Sequence, residues 1–328
     1  MRETIFCFLL IILTACGSGS SSGDGDSNGG GGDKPVEPLS ESELVINVNK
    51  NNIQIYAKGA DRHSDRYLEY NLKHIDDPLI NANLWRLYEL YESKNVSNLP
   101  PYSFFRVHDK KPIVNAGEWE LAIREAGADD FMGGYHGDEL LTSVSLVING
   151  ENVPIRESQY VADSLSFTQT SDLYSWYTGQ VVAKHIKEYK FSQAGIILKQ
   201  KVEWERSVEV SRAYLSMFPV KRKIDYTSGT QITDTAWYWP SGDIQDVSES
   251  GFALNVKTSD DEIWLEGAES RFRAEVKMTE HPRLPGYNVF VHNVDAYNKI
   301  YFDISNRYTT KIGEIWETET IYKLTTYN

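Results

Sequence analysis

Over much of the chain apolar and polar residues alternate one by one, the period of a strand that turns one face to a core. The pattern predicts strands over residues 43–48, 52–57, 143–148, 184–191, 196–206, 207–217, 236–239, 251–256, 262–266, 270–278, 287–294 and 314–324. Turn formers separate several of them: Asn149-Gly150, Ser192-Gln193-Ala194-Gly195 and Ser228-Gly229. The expected fold class is all-β, a jelly roll or β-sandwich of antiparallel strands, interrupted by two short helices. Leu84, Leu87, Tyr88 and Tyr91 fall at i, i+3, i+4 and i+7 and predict an amphipathic helix over 83–94. Asn115 suits the N-cap of a second, with Trp119, Ala122 and Ile123 on its inner face and Gly127 as its left-handed stop.

The hairpin after residue 183 fixes a register. With Ser192 to Gly195 as its loop, Phe191 pairs with Ile196, Tyr189 with Leu198, Lys187 with Gln200 and His185 with Val202. Alternation then sets His185, Lys187, Tyr189 and Gln200 on one face. An imidazole, an ammonium, a phenol and an amide buried side by side would cost several kcal/mol unless each were paired. The expectation is therefore a concave, wet, ligand-binding face, with a plain solvent-facing sheet as the alternative.

A second constellation is Asp129-Asp130-Phe131-Met132-Gly133-Gly134-Tyr135-His136-Gly137-Asp138-Glu139. Glycines at this density permit tight turns and close ligand approach, and His136 titrates near neutrality. A structural turn is one alternative. A calcium loop on Asp129, Asp130, Asp138 and Glu139 is another, although the spacing matches no standard calcium loop. Arg206, Arg212, Lys221, Arg222 and Lys223 gather positive charge where an anionic substrate could dock, or form a solvated loop. Trp237-Tyr238-Trp239-Pro240 and Tyr174-Ser175-Trp176-Tyr177 suit sugar stacking or core packing equally.

Composition narrows the partners. With 33 basic against 47 acidic residues the chain carries −14, which repels nucleic-acid phosphates, so no nucleic acid is expected. A mean hydropathy of −0.44 excludes a polytopic membrane protein. No Gly-x-Ser-x-Gly elbow, Walker loop, His-Glu-x-x-His helix or dinucleotide fingerprint occurs, which disfavours the enzyme classes built on them.

Met1-Arg2, the apolar run from Ile5 to Leu13 and Leu13-Thr14-Ala15-Cys16 have the form of a secretory signal. The last four residues resemble the bacterial lipobox, which implies removal of residues 1–15 and lipidation of Cys16. Residues 16–40 then read as a lipidated Gly/Ser tether and 41–328 as the β-sandwich catalytic domain. The only other cysteine, Cys7, is in the signal, so the folded body is expected to hold no disulfide or thiolate metal site. Gly17 after the lipidated cysteine favours the outer membrane, with the body facing the cell surface or periplasm.

A tethered β-sandwich with the Gly-Gly-Tyr-His-Gly-Asp-Glu loop and a His-x-Lys-x-Tyr strand resembles the jelly-roll polysaccharide lyases, ulvan and alginate lyases among them. It lacks the Gln-Ile-His strand motif of alginate lyases. The resemblance implies β-elimination on a uronate-containing anionic polysaccharide by a monomer without a cofactor, a structural calcium ion aside. It implies His136 or His185 as base, Tyr189 as acid, and Gln200, Lys187 or Arg206 as carboxylate neutraliser, with Tyr135 also at the substrate. A glycoside hydrolase on the same fold would draw instead on Glu118, Glu120, Asp138 and Glu139. A non-catalytic carbohydrate-binding lipoprotein would use the aromatics alone.

Overall fold

The alternating segments fold as strands because one row of their side chains is apolar enough to bury and the other is not. The computed structural model describes residues 43–58, 66–95, 107–114, 117–222, 232–248, 257–270 and 272–326. The signal, Cys16, the tether, Asn115, Lys223, the Ser228-Gly229 turn and the strand expected over 251–256 lie outside them. All described strands fall within one unit, Glu37–Asn328.

The larger sheet runs, edge to edge, through Asp243–Asp246, Thr235–Trp239, Glu262–Gly267, Phe272–Glu280, Ile315–Thr326, Gly195–Trp204, Val181–Ser192, Leu165–Tyr174, Glu139–Ile148, Ala82–Asn95, Arg66–Asp77, Asn52–Ala57, Leu44–Asn49 and Ser158–Ala162. The second sheet runs through Lys257–Thr258, Tyr287–Asn293, Tyr297–Ile304, Glu209–Lys221 and Tyr308–Thr309, with Ala122–Glu125 also on Glu209–Lys221. One apolar cluster takes Phe167, Leu198, Val276 and Leu324 from the first and Leu215, Phe218, Val291 and Phe302 from the second. This is an antiparallel β-sandwich, as the alternation implies. Among the described residues one junction is parallel: Ala82 and Asn83 pair with Glu139 and Leu140.

Neither expected helix forms among the described residues; the one helical turn is the 3-10 turn Gly134–His136. Residues 83–94 belong to the strand Ala82–Asn95, antiparallel to Arg66–Asp77. A register shift between Asn71 and Leu72 leaves Tyr88 as the extra residue of a bulge. Core side chains therefore come at Trp85, Leu87 and Leu90, and a spacing of two followed by three imitates helical periodicity. In the second segment Trp119, Leu121 and Ile123 alternate into the core while Ala122 turns to a separate cluster. Gly127 does take φ +86°, but it ends a strand.

The hairpin pairs in the expected register, Phe191 with Ile196 through His185 with Val202, closed by a two-residue turn because Ser192 also pairs with Gly195. Its polar face is not open to solvent. His185 and Lys187 are 0% exposed, Tyr189 1% and Gln200 3%, so the expected wet face is a polar seam inside the sandwich. The cost of burial is largely offset, because each residue has a partner and His185 Nε2 alone among their polar atoms is left with neither a hydrogen bond nor an ion pair. Glu139 accepts from His185 Nδ1 at 3.1 Å and the Gly134 amide at 2.7 Å, contacts Lys187 Nζ at 2.9 Å and accepts from the Ser171 hydroxyl. Tyr189 donates to Glu120, which also accepts from the Leu87 amide at 3.3 Å. Gln200 accepts from the Leu121 amide and donates to the Leu215 carbonyl, both at 2.8 Å.

Burial alone would raise the Glu139 carboxyl, but Lys187, His185 and Ser171 hold it well below the usual carboxylate range. A depressed carboxyl contributes stability that is present above its unfolded value of about 4.5 and is lost as pH falls through the folded value. Glu139→Gln leaves the buried Lys187 ammonium without its carboxylate and is expected to cost about 3–5 kcal/mol. Urea melts between about pH 3 and pH 7 check both statements: the variant is less stable near neutrality and the deficit shrinks toward acid. Equal stability of the two proteins at neutral pH would contradict the role assigned to this carboxylate.

Candidate functional site

With the seam closed, the chemistry open to a ligand lies where the 129–139 loop meets the outer face of the second sheet. Two glycines shape the loop. Gly133 has φ +96° and Gly137 φ +89°, and a Cβ on Gly137 would sit 1.9 Å from the Ile80 carbonyl oxygen. Between them the Gly134 amide is held by buried Glu139, so the turn carrying Tyr135 and His136 is fastened from below.

His136 Nδ1 lies 3.0 Å from Asp130 Oδ1, which also accepts from the Phe131 amide at 2.7 Å. This contact orients the ring and directs Nε2 away from Asp130. Burial lowers the His136 pKa from 6.5; Asp130 opposes that and nearby Arg86 adds to it, so the imidazole is neutral at neutral pH and able to accept a proton. Tyr135 is 42% exposed.

Arg86 stands beside this turn. Its guanidinium lies 4.8 Å from the Tyr135 ring centre and 5.1 Å from that of Tyr88. The residue is 5% exposed, its Nε has no hydrogen-bond partner, and it forms no ion pair among the described residues.

Strand alternation extends the face. Ile300, Phe302 and Ile304 enter the main core, so Tyr297, Lys299, Tyr301 and Asp303 turn to the opposite face. There Tyr297 is half-buried, Lys299 and Asp303 are buried, and Tyr301 packs in a second small cluster with Phe290, Phe131 and Tyr214. Phe131 stacks on Tyr214 at 4.9 Å and 19°, and Tyr301 on Phe290 at 4.8 Å and 10°. Burial raises the Tyr297 phenol, and the phenols of Tyr135 and Tyr214 add to the shift. The other cations are engaged. Arg212 forks onto Asp303 at 3.0 and 2.9 Å, Arg124 donates to the Ser211 hydroxyl at 3.3 Å, and Lys299 contacts Glu118. Burial pushes the Lys299 ammonium down to about 7.

The expected site residues thus separate. His136 and Tyr135 reach this face, whereas His185, Lys187, Tyr189 and Gln200 are enclosed beneath it. Burial first, then Glu120, raises the Tyr189 phenol well above its usual value of 10.0, so it is a fixed donor in the core. Arg206 donates to the Val181 carbonyl at 3.0 Å and lines a separate groove of 370 Å³ with Glu125, Ser175, Tyr177 and Glu209. Glu120 and Glu139 are buried and Glu118 is paired, so of the four carboxylates named for a hydrolase only Asp138 keeps partial exposure without an ion pair. The carboxylates named for a calcium loop diverge: Asp130 to His136, Asp138 to Asn81, Glu139 into the core. Among the described residues no three metal-ligating side chains gather. Sequence reading missed Arg86, Tyr88, Arg124, Tyr214, Tyr297, Lys299 and Tyr301 as parts of one face. The alternation of 297–304 was the available signal for the last three.

No protein-family model matches the sequence, and no curated protein is similar to it. Solved structures similar to this chain include a GH36 α-galactosidase from Geobacillus stearothermophilus, at 7% identity and TM-score 0.44, covering 83% of this chain and 40% of that one. A heparan sulfate lyase mutant from Pedobacter heparinus aligns at 9% identity and TM-score 0.36, over 85% of this chain and 36% of that one. The Slr1438 protein from Synechocystis aligns at 9% identity and TM-score 0.37, over 79% of this chain and 92% of that one. This chain thus spans well under half of the galactosidase and of the lyase.

Proposed function

We propose that this protein binds an anionic, uronate-containing polysaccharide across the aromatic face and cleaves it by β-elimination at the Arg86–Tyr135–His136 cluster. The observation that carries the reading is Arg86, a buried guanidinium with no carboxylate partner among the described residues. An unpaired charge held out of water costs several kcal/mol. A carboxylate arriving from a ligand offsets that cost, and a guanidinium is shaped to receive one bidentately. The phenol and phenyl rings beside it suit the apolar faces of sugar rings.

The chemistry follows from the neighbours. Neutralising the uronate carboxylate on Arg86 makes the C5 proton removable and stabilises the enolate that develops. His136, neutral and oriented by Asp130, takes that proton. The electron pair forms the C4–C5 double bond as the C4–O bond breaks, and Tyr135 delivers a proton to the departing oxygen. Each half-step uses a group already within the cluster. Lipidation at Cys16 would hold this body at a membrane surface by acyl chains alone, since more than one chain gives stable anchoring.

With a panel of polyuronates as substrates, the expected products are new reducing ends together with the ultraviolet absorbance of an unsaturated uronate. Reducing ends without that absorbance would mean hydrolysis and would overturn the reaction proposed. His136→Ala is expected to lower kcat by about two to four orders of magnitude with little change in binding. Arg86→Ala is expected to weaken both binding and turnover. Because the base must be neutral, activity falls on the acid side, with a midpoint below the ordinary histidine value of 6.5. A midpoint above it would exclude His136 as base.

The anchor has its own test. Cys16→Ala is expected to leave the body folded and release it to the soluble fraction. Sedimentation of the variant with membranes after a salt wash would refute lipidation there.

A further inference from the structure

A second aromatic surface lies at the far edge of the larger sheet. Ala236, Tyr238, Ile263 and Leu265 turn into the core, so alternation brings Trp237, Trp239 and Trp264 out together on the opposite face. Trp239 and Trp264 are parallel, 11° apart with ring centres 6.1 Å from each other, and Trp237 meets Trp264 at 5.9 Å and 73°. Trp239 is 51% exposed, and Ile244, opposite Trp237 on the edge strand, is 63% exposed.

The platform is braced from one side. The Arg273 guanidinium lies 4.8 Å from the Trp264 ring centre and 5.5 Å from that of Trp237. Glu266 holds it there, accepting from Nε at 2.8 Å and from an Nη at 2.6 Å. Lys277 is likewise paired, with Glu262 at 3.0 Å, and the Trp264 indole N–H donates to the same glutamate at 3.3 Å. Both cations on these strands are therefore committed to carboxylates, and Asp246 adds a further negative charge on the edge strand. Among the described residues, a uronate or sulfate approaching here finds no cation on these strands to receive it and meets carboxylates instead.

We infer that Trp237, Trp239 and Trp264 form a binding platform for the uncharged pyranose rings of a neutral glycan, separate from the anion-accepting face around Arg86. Parallel indole faces match the C–H faces of pyranoses, and the flanking carboxylates Glu262 and Asp246 are acceptors for sugar hydroxyls. The inference stands on this patch alone and does not depend on the reaction proposed at Arg86.

Affinity electrophoresis in gels containing a neutral hexose polysaccharide, with a polyuronate gel in parallel, tests it. Retardation by the neutral polysaccharide is expected in the wild type, and Trp239→Ala is expected to weaken it by about tenfold or more. Trp239→Tyr restores part of it, and Arg86→Ala leaves it unchanged. Because Trp239 is half exposed, melting temperature is expected to stay the same in the Trp239 variants, which separates lost binding from lost folding. Failure of every neutral glycan tested to retard the wild type would overturn the inference, as would equal retardation of Trp239→Ala. A concentration-dependent dimer that Trp239→Ala abolishes would also overturn it, identifying a second copy of the chain as the occupant. Retardation by the polyuronate that Trp239→Ala removes would overturn the charge argument.

Discussion

The ionised carboxylate of Glu139, with no exposure to water, is the constraint on which both the fold and the candidate site depend. It sits at the parallel junction where Glu139 and Leu140 meet Ala82 and Asn83. There the strands from the first part of the chain join the rest of the larger sheet through two residue pairs. The junction is extended by the Asp138 and Glu139 amides, which donate to the Ile80 and Asn81 carbonyls, while the Glu139 side chain gathers His185, Lys187 and Ser171 from the two strands on its other side. The same carboxylate holds the Gly134 amide. The position of the Tyr135–His136 turn is thus tied to the charge balance of the core, and an uncharged residue of the same shape could not serve both purposes.

Other buried polar side chains obey the same logic, standing where a neighbouring strand would otherwise be. Gln169 accepts from the Trp85 amide at 3.0 Å and donates to the Trp85 carbonyl, as a paired backbone unit would. Gln200 does so between the sheets, through Leu121 and Leu215. Glu120 accepts from the amides of Leu87 and Trp119, and the Tyr322 hydroxyl reaches the carbonyls of Trp119 and Met217. The segment around Trp119 crosses the interior without a full set of strand partners, and buried amides and carbonyls must be satisfied. Side chains that look catalytic in one dimension are occupied in keeping that backbone paired.

This explains what could be read from the sequence. The hairpin from His185 to Gln200 was legible down to its register, because period-two alternation and a short turn are local facts. Whether its polar face looked outward was not, since that depends on Glu139 and Glu120 arriving from strands far away in sequence. The strand Ala82–Asn95 was hidden by the bulge at Tyr88, and with it went Arg86, whose significance comes from lacking a partner rather than from any motif. His136 and Tyr135 were legible because glycines surround them, and the conformations at Gly133 and Gly137 are ones that other residues rarely adopt. The outer face of the second sheet needed the strand Tyr297–Ile304, which long-range pairing with Glu209–Lys221 defines.

The two aromatic surfaces show why the pairing of each cation matters more than its presence. Both carry rings with an arginine lying over them, and by composition alone they would be read alike. Arg273 is answered by Glu266, so it presents a neutral, rigid edge, and its guanidinium serves as backing for the indoles. Arg86 has the faces of Tyr88 and Tyr135 but no carboxylate partner among the described residues, and it sits in a place poor in water. In a chain of net charge −14, long-range attraction does little to bring an anion to the protein, since the overall field opposes approach. On the proposed function, selectivity for a carboxylate arises at contact, from a desolvated cation whose energy falls when the ligand binds. The proposed discrimination between charged and uncharged sugars then rests on the carboxylate partner each arginine has or lacks, a property of the fold and not of the residue.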